Sequence, residues 1–217
     1  MPIHFKYLPP KARELLKKLS ESARAHAFIL AGGTGLALQI GHRISVDLDF
    51  FTQKIFSTEK LFQKFRRLGM NPKILEESEG SLTVTIDGTK VSVFRYPYPF
   101  IGKMKEADGV PIAGVIDIAS MKIIAISQRG AKRDFFDLYF VLQDTPFRKV
   151  AENMIKRFGA DRVNPVHIGK SLVYFSDADV DPEPRLSGKE KPSWDKVKKF
   201  FVKNVRQMVL DMEQAKK

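Results

Sequence analysis

The sequence predicts an α+β fold, with a mixed β-sheet and flanking helices followed by a helical C-terminal part. Short strand-like apolar runs alternate with helix-like stretches up to residue 95. From residue 116 onward, apolar residues recur at helical spacing with few interruptions. Hydrophobic residues make up 43% of the 217-residue chain, which is enough to build a substantial core.

The first part of the chain is predicted to mix helices and strands. Several of these elements begin or end at a proline, a glycine or a capping serine, namely Pro9-Pro10, Gly32-Gly33, Gly41 and Ser57. A hairpin turn is expected at Asp87-Gly88, where both residues favour the required backbone conformation. Helices are predicted over 11–23, 35–40 and 57–68, strands over 27–31 and 46–51, and two or three further strands over 73–95.

The second part is predicted to be helical. A connection containing proline and glycine, residues 96–113, leads to helices over 116–128, 132–142, 147–158, 165–175 and 194–213. The polar stretch 176–193 contains three prolines and is predicted to be an exposed loop. We expect a core over residues 1–145 and a helical C-terminal region over 146–217.

Charge is the most informative feature of the composition. The chain has 37 basic and 25 acidic residues, a net charge of +12, which favours polyanionic partners such as nucleic acid or nucleotides. The segment 189–217 has nine Lys/Arg and four Asp/Glu, and so carries +5 of that surplus. A basic face there could follow an RNA or DNA backbone, or its lysines could simply be solvated.

Several classes of protein are disfavoured. No apolar run reaches eighteen residues, so no membrane span is predicted, and the first eight residues lack the layout of a signal peptide. The chain has no cysteine, which excludes disulfides and thiolate metal sites. These features lead us to expect a cytoplasmic protein.

The segment from Gly32 to Asp49 carries the chemistry. An apolar strand ends in Gly32-Gly33 and a helix follows at once, so unpaired backbone N–H groups face whatever lies in front of the helix. The hydroxyl of Thr34 adds a donor, and Arg43 and Ser45 could contact phosphate or fix the loop. This part of the segment predicts a seat for the phosphates of a nucleotide.

Two carboxylates follow on the next predicted strand. Asp47 and Asp49 are two residues apart, so period-two alternation places them on one face. Carboxylates that lie side by side repel one another unless a cation lies between them, and oxygen ligands suit Mg²⁺ or Mn²⁺. The alternative is a solvated strand face with two ordinary aspartates.

These residues resemble the first motif of the AbiEii/AbiGii toxin-like nucleotidyltransferases, in the polymerase-beta superfamily. Two later stretches also resemble motifs of that family, in the same order. Asp117-Ile-Ala-Ser-Met-Lys122 resembles its lysine motif, and 132–138, which contains Asp134 and Asp137, resembles its Asp-x-x-Asp-Leu motif. Residues 94–99 also resemble a stretch found in many members, and the resemblance covers about residues 20–145.

The resemblance implies a nucleotidyltransferase-like fold and a Mg²⁺-dependent enzyme. It would transfer a nucleoside monophosphate from a nucleoside triphosphate to an acceptor hydroxyl, with tRNA as a candidate acceptor. Asp47 and Asp49 would hold metal, Lys122 would neutralise phosphate, and Asp134 or Asp137 would assist the acceptor. A toxin role would bring a cognate antitoxin as partner.

One position departs from the wider superfamily, in which a later strand often carries a third carboxylate as general base. Ser92 occupies the corresponding position and cannot act as a base near neutral pH. Asp134 or Asp137 could take over, the transfer could proceed without a strong base, or the chain could bind nucleotide or RNA without turnover. Pairing of Asp134 or Asp137 with nearby basic residues is the alternative to a catalytic role. A nucleotidyltransferase that modifies small molecules is a third option, which the basic charge disfavours.

Overall fold

The computed structural model describes residues 2–188 and 190–217, which form two compact units. The first unit comprises the chain up to Pro99 together with Lys103–Ala113. The second comprises Phe100–Gly102 and the chain from Gly114 onward. The chain therefore enters the second unit for three residues, returns to the first, and leaves it again after Ala113.

The first unit is a seven-stranded mixed sheet with three helices. A short 3-10 turn, Phe5–Tyr7, precedes the first helix. The elements in chain order are α1 (Pro10–His26), β1 (Ile29–Leu30), α2 (Gly32–Ile40), β2 (Leu48–Thr52), α3 (Thr58–Arg67), β3 (Pro72–Ser78), β4 (Ser81–Ile86), β5 (Thr89–Arg95), β6 (Lys105–Ala107) and β7 (Val110–Ile112).

The sheet order is β3-β4-β5-β2-β1-β7-β6. The pairs β2–β5 and β1–β7 are parallel, and the other neighbours are antiparallel. Strand β2 therefore lies in the middle of the sheet, with β5 on one side and β1 on the other. Residues on β2 consequently have neighbouring strands on both sides, which fixes their register.

Local sequence signals explain where most of these elements begin and turn. The hydroxyl of Ser57 accepts a hydrogen bond from the backbone N–H of Lys60 at 3.2 Å and so caps α3. Asp87 and Gly88 both have positive φ, 50° and 83°, as the tight turn between β4 and β5 requires. Leu48, Phe50 and Val91 from the central strands are buried in the core.

The second unit is helical. It also contains a 3-10 turn, Ala160–Arg162. The helices are α4 (Val115–Arg129), α5 (Lys132–Asp144), α6 (Phe147–Phe158), α7 (Pro165–Ser171), α8 (Ser176–Asp179) and α9 (Trp194–Ala215). Aromatic side chains pack α5 against α9. The ring centroid of Phe135 on α5 lies 5.6 Å from that of Trp194 and 5.4 Å from that of Phe201, both on α9.

The predicted fold class is confirmed, and the deviations are local. Residues 96–113 were expected to be a plain connection but contain the hairpin of β6 and β7, turned by Asp108 and Gly109 at φ 47° and 82°. Each of these strands has three residues, which is too short for an alternating pattern to emerge.

The loop predicted over 176–193 was wrong at its start, where α8 forms a single turn, and the helix predicted over 165–175 ends at Ser171. The expected division into residues 1–145 and 146–217 stays a prediction about domains. Among residues 2–188 and 190–217, no helix combines the length and the apolar character needed to cross a membrane.

Candidate active site

Asp47 and Asp49 flank the start of the central strand of the sheet. Asp49 is the second residue of β2, and Asp47 lies just before the strand begins at Leu48. Burial alternates along this stretch, since Leu48 and Phe50 are buried while Asp47 and Asp49 are partly exposed. The apolar side chains thus take the core face, and both carboxylates are left for the opposite face.

The lack of a side chain at Gly32 leaves space for the carboxylate of Asp49. Gly32 is the first residue of α2 and has a φ of 60°, a conformation that favours glycine. A Cβ on Gly32 would lie 2.8 Å from Oδ2 of Asp49, closer than side-chain atoms tolerate. The backbone N–H of Ala31 also donates to the carbonyl of Asp49 at 3.0 Å. The carboxylate therefore rests against the first turn of α2 in a space that a side chain would fill.

Gly33 makes room for a guanidinium group. A Cβ at Gly33 would lie 2.1 Å from Nη2 of Arg43, so any side chain would displace Arg43. Arg43 is only 6% exposed, and its Nη1 donates to the carbonyl of Ile44 at 3.2 Å. The first turn of α2 thus has a buried cation directly against its backbone.

Thr34 and Ser45 tie the helix to the segment that leads into β2. Their hydroxyls share a hydrogen bond of 2.8 Å, and the hydroxyl of Thr34 also donates to the main-chain carbonyl of Asp47. Thr34 is buried, which fits this bridging role. The pair therefore holds Asp47 and the first turn of α2 together.

The charges in this part of the first unit suit a metal-bound polyanion. The backbone N–H groups of the first helical turn and the guanidinium of Arg43 attract negative charge. Asp47 and Asp49 attract a cation, and Asp47 already pairs with Nζ of Lys90 at 3.3 Å. Because both partners are partly exposed, this ion pair is screened by solvent and adds little to stability.

The donor set fits Mg²⁺ or Mn²⁺ only in combination with a substrate. In the part of the chain that the structure describes, no three acidic or histidine side chains gather as a metal site. Mg²⁺, however, is commonly held by one or two carboxylates, with substrate phosphates and water completing its shell. The two aspartates beside the predicted phosphate seat match that pattern.

Ser92 lies opposite Asp49 in the sheet. The parallel register of β2 and β5 pairs Asp49 with Ser92. Ser92 is 3% exposed, and its hydroxyl accepts a hydrogen bond from Thr83 on β4 at 3.3 Å. A buried, neutral hydroxyl pair thus occupies the place next to Asp49.

The second unit brings Lys122, Asp134 and Asp137 together. Nζ of Lys122, on α4, lies 2.6 Å from Oδ1 of Asp134 and 2.6 Å from Oδ2 of Asp137, both on α5. The other oxygen of Asp134 accepts from Nε and Nη2 of Arg129 at 3.0 and 2.9 Å. The local pairing that the sequence offered as an alternative for Asp134 is therefore present.

Electrostatics keep Asp134 ionised. Burial by itself raises the pKa of this carboxyl, but the positive charges of Lys122 and Arg129 outweigh burial and the repulsion from Asp137. The net result is a pKa below the usual value for aspartate. A carboxylate held this way is a weak proton acceptor and a firm anchor for Lys122.

Sequence reasoning missed several partners in both units. Lys90 has no motif around it, and only the tertiary pairing shows that it contacts Asp47. Asp117, noted only as the start of the lysine motif, is buried and accepts from the N–H of Gly102 and from Nδ2 of Asn153, both at 2.8 Å. Asp117 therefore fixes the short stretch Phe100–Gly102 within the second unit.

Comparison with known proteins identifies a family for this chain. The profile of the family described as "Nucleotidyl transferase AbiEii toxin, Type IV TA system" matches residues 14–103 and 83–211, which together span most of the chain. The uncharacterized protein aq_aa25 of Aquifex aeolicus (strain VF5) is 36% identical over 205 residues, or 92% of this chain and 97% of that protein.

Solved structures share the fold at low sequence identity. MenT4, the nucleotidyltransferase toxin Rv2826c of Mycobacterium tuberculosis H37Rv, has a TM-score of 0.55 at 16% identity and covers 94% of this chain and 91% of its own. JHP933 from Helicobacter pylori has a TM-score of 0.53 at 14% identity, with 95% of each chain covered. The family profile, which matches most of the chain, assigns this chain to the AbiEii nucleotidyltransferase toxin family, a family of nucleotidyltransferase enzymes.

Proposed function

We propose that this protein transfers a nucleoside monophosphate from a nucleoside triphosphate to a hydroxyl of RNA, with tRNA as the first acceptor to test, and so acts as the toxin of a toxin–antitoxin pair. The observation that carries the proposal is the first turn of α2. There, Gly32 makes room for the carboxylate of Asp49, and Gly33 makes room for the guanidinium of Arg43. Groups that attract a metal and groups that attract phosphate thus share one short segment.

Asp47 and Asp49 are the proposed metal ligands. Mg²⁺ or Mn²⁺ held by them would neutralise charge on the triphosphate while the phosphoryl group is transferred. The backbone N–H groups at Gly32 and Gly33, with the guanidinium of Arg43, bind and orient the phosphates. Thr34 and Ser45 act through their mutual hydrogen bond, which holds Asp47 in position.

In the reaction, the acceptor oxygen forms a bond to the α-phosphorus of the nucleotide. The bond from that phosphorus to the bridging oxygen breaks, and pyrophosphate leaves with the electron pair. The acceptor hydroxyl loses its proton to a base. The neutral hydroxyl of Ser92 cannot act as that base. Such transfers depend mainly on positioning and charge stabilisation, so a strong base is not required.

The proposal keeps Lys122 as a phosphate-neutralising cation, as predicted from the family's lysine motif. Asp134 is assigned to positioning Lys122, because both of its oxygens are occupied and its pKa is low. That Asp134 or Asp137 assists the acceptor stays a prediction from the Asp-x-x-Asp-Leu motif, since Asp137 is also buried and lies 2.6 Å from Nζ of Lys122.

The test incubates the purified protein with total tRNA, Mg²⁺ and each nucleoside triphosphate in turn, labelled either at the α- or at the γ-phosphate. The α-label should appear on RNA, and the γ-label should appear only in pyrophosphate. Omitting the metal and substituting Mn²⁺ identifies the cation used. Nucleotide affinity by calorimetry without any α-label on RNA would instead select a module that binds without turnover.

The antitoxin part of the proposal has its own test. Expression of the protein alone should slow bacterial growth, and co-expression with the product of the neighbouring gene should restore it. Growth arrest that persists in the Asp49→Asn variant would separate toxicity from nucleotidyl transfer.

A further inference from the structure

A basic groove lies between α5 and α9 in the second unit, formed by residues unrelated to the nucleotidyltransferase motifs. It is shallow, with a volume of about 400 Å³. Its lining combines three lysines, two aromatic rings and two amides: Lys196, Lys199, Lys203, Tyr139, Phe200, Gln143 and Asn204.

The lysines form a row along one face of α9. Lys196, Lys199 and Lys203 are spaced by three and four residues, so their side chains project from the same side of the helix. At a rise of about 1.5 Å per residue, the row is roughly 10 Å long. Arg206, also exposed, continues the row by one more turn.

The charge of this row is not neutralised within the described part of the chain. None of the three lysines forms an ion pair with a described residue, and all three are exposed. Lys198, on another side of α9, shows the contrast, since its Nζ lies 3.1 Å from Asp179 and 3.4 Å from Asp195. Three uncompensated cations in a line attract an extended polyanion better than a compact one.

The floor of the groove is aromatic. The ring of Phe200 packs edge-on against the ring of Tyr139, with centroids 5.1 Å apart and planes at 82°. Tyr139 is buried, whereas Phe200 is partly exposed and so keeps part of its ring available. Aromatic faces beside a row of cations are a common arrangement for binding single-stranded nucleic acid, whose bases stack on the rings.

Two amides complete the groove. Nε2 of Gln143 donates to the carbonyl of Tyr139 at 2.9 Å, and Nδ2 of Asn204 donates to the carbonyl of Phe200 at 2.8 Å. These bonds fix both amides beside the rings. Their oxygens are acceptors, which suits the 2′-hydroxyl donors of RNA.

We propose that this groove binds the backbone of single-stranded RNA, with the three lysines on phosphates and Phe200 beneath a base. The further claim that the bound RNA is the acceptor of nucleotidyl transfer rests on the proposed function. Binding itself needs neither nucleotide nor metal, so the two proposals can fail separately.

The test measures fluorescence anisotropy of a labelled single-stranded RNA of mixed sequence with the full-length protein, without nucleotide or Mg²⁺, at several salt concentrations. The variant replaces Lys196, Lys199 and Lys203 by Gln. The matched control replaces Lys11, Lys17 and Lys18 by Gln; these lysines are exposed on α1, and the loss of charge is the same.

We expect the groove variant to bind at least about tenfold more weakly at 0.1 M salt and to lower the slope of log affinity against log salt by about 2. The control should stay within about twofold of the wild type. Phe200→Leu, which keeps an apolar side chain against Tyr139, should weaken binding by roughly tenfold through lost stacking and leave the slope unchanged.

Equal weakening in the groove variant and the control would overturn the proposal, because net charge alone would then explain binding. A competition experiment with poly-glutamate gives a second test. If poly-glutamate displaces the labelled RNA as effectively as unlabelled RNA does, the groove is a surface for acidic peptides and the proposal is overturned. RNA binding that depends on the groove, without α-label transfer, would leave this proposal standing and defeat the proposed function.

Discussion

Asp49 on β2 lies in register with Ser92 on the parallel strand β5, and the hydroxyl of Ser92 accepts a hydrogen bond from Thr83 on β4. Three strands thus present a row of one carboxylate and two hydroxyls. The hydroxyls are buried and satisfy each other, so the row is stable without a second carboxylate.

Replacing Ser92 by Ala should leave the rate of α-label transfer within about threefold of the wild type, because a neutral hydroxyl does not accept the acceptor's proton. The lost hydrogen bond should lower the free energy of unfolding by about 1 kcal/mol. Steady-state transfer assays and urea unfolding check both parts. A loss of kcat of more than about 100-fold in a folded variant would make Ser92 part of the chemistry.

Asp49→Asn should reduce α-label transfer by at least about 100-fold, since an amide is a poor ligand for Mg²⁺ and carries no charge. The matched control is Asp87→Asn, which removes one carboxylate from an exposed turn where positive φ also suits asparagine. The control should keep full transfer activity. Equal activity in both variants would remove Asp49 from the proposed metal site.

Gly33→Ala should destabilise the protein by about 1–3 kcal/mol, because the new Cβ would lie 2.1 Å from Nη2 of Arg43. In an Arg43→Ala background the same change should cost at least about 1 kcal/mol less, since the clashing group is gone. Unfolding free energies of the two single variants and the double variant give this coupling. If the losses of unfolding free energy in the two single variants simply add up in the double variant, then space for Arg43 is not the reason that position 33 needs glycine.

Asp134→Asn should lower the free energy of unfolding at pH 7 by about 1–3 kcal/mol, because Lys122 and Arg129 lose a charged hydrogen-bond acceptor while Lys122 keeps its ion pair with Asp137. The folded-state pKa of Asp134 is depressed below its unfolded value of about 3.9, so this stabilisation is present above that pH. As pH falls through the folded pKa, the stabilisation is lost.

The wild type should therefore lose stability more steeply below about pH 4 than Asp134→Asn does. Urea unfolding followed through Trp194, the only tryptophan, measures this between about pH 7 and 3. Asp144→Asn, an exposed carboxylate at the end of α5, is the matched control and should follow the wild-type curve. Identical slopes for the wild type and Asp134→Asn would contradict the depressed pKa.

Elements with a complete local signal were predicted closely. Helix α6 matches its predicted bounds, and the hairpin at Asp87-Gly88 turns where both residues favour positive φ. Short elements escaped prediction, because β6, β7 and α8 have too few residues to show a period. Strand β2 begins at Leu48 rather than Val46, since pairing with β5 starts there.

The sequence by itself determined the chemistry of the candidate site. Glycines at the start of a helix, aspartates two apart where a strand begins, and two aspartates three apart on a helix are patterns carried by neighbouring residues. Their backbone preferences and periods act locally, so they can be identified before the chain folds.

Only the tertiary structure decided which group each charged side chain contacts. The pairs Arg43–Gly33, Lys90–Asp47 and Arg129–Asp134 join residues on different elements. The row Asp49–Ser92–Thr83 depends on strand register, and the groove of Lys196, Lys199 and Lys203 depends on how α9 packs on α5. Register and helix packing are fixed by burial of the whole core, a non-local quantity that no short stretch of sequence contains.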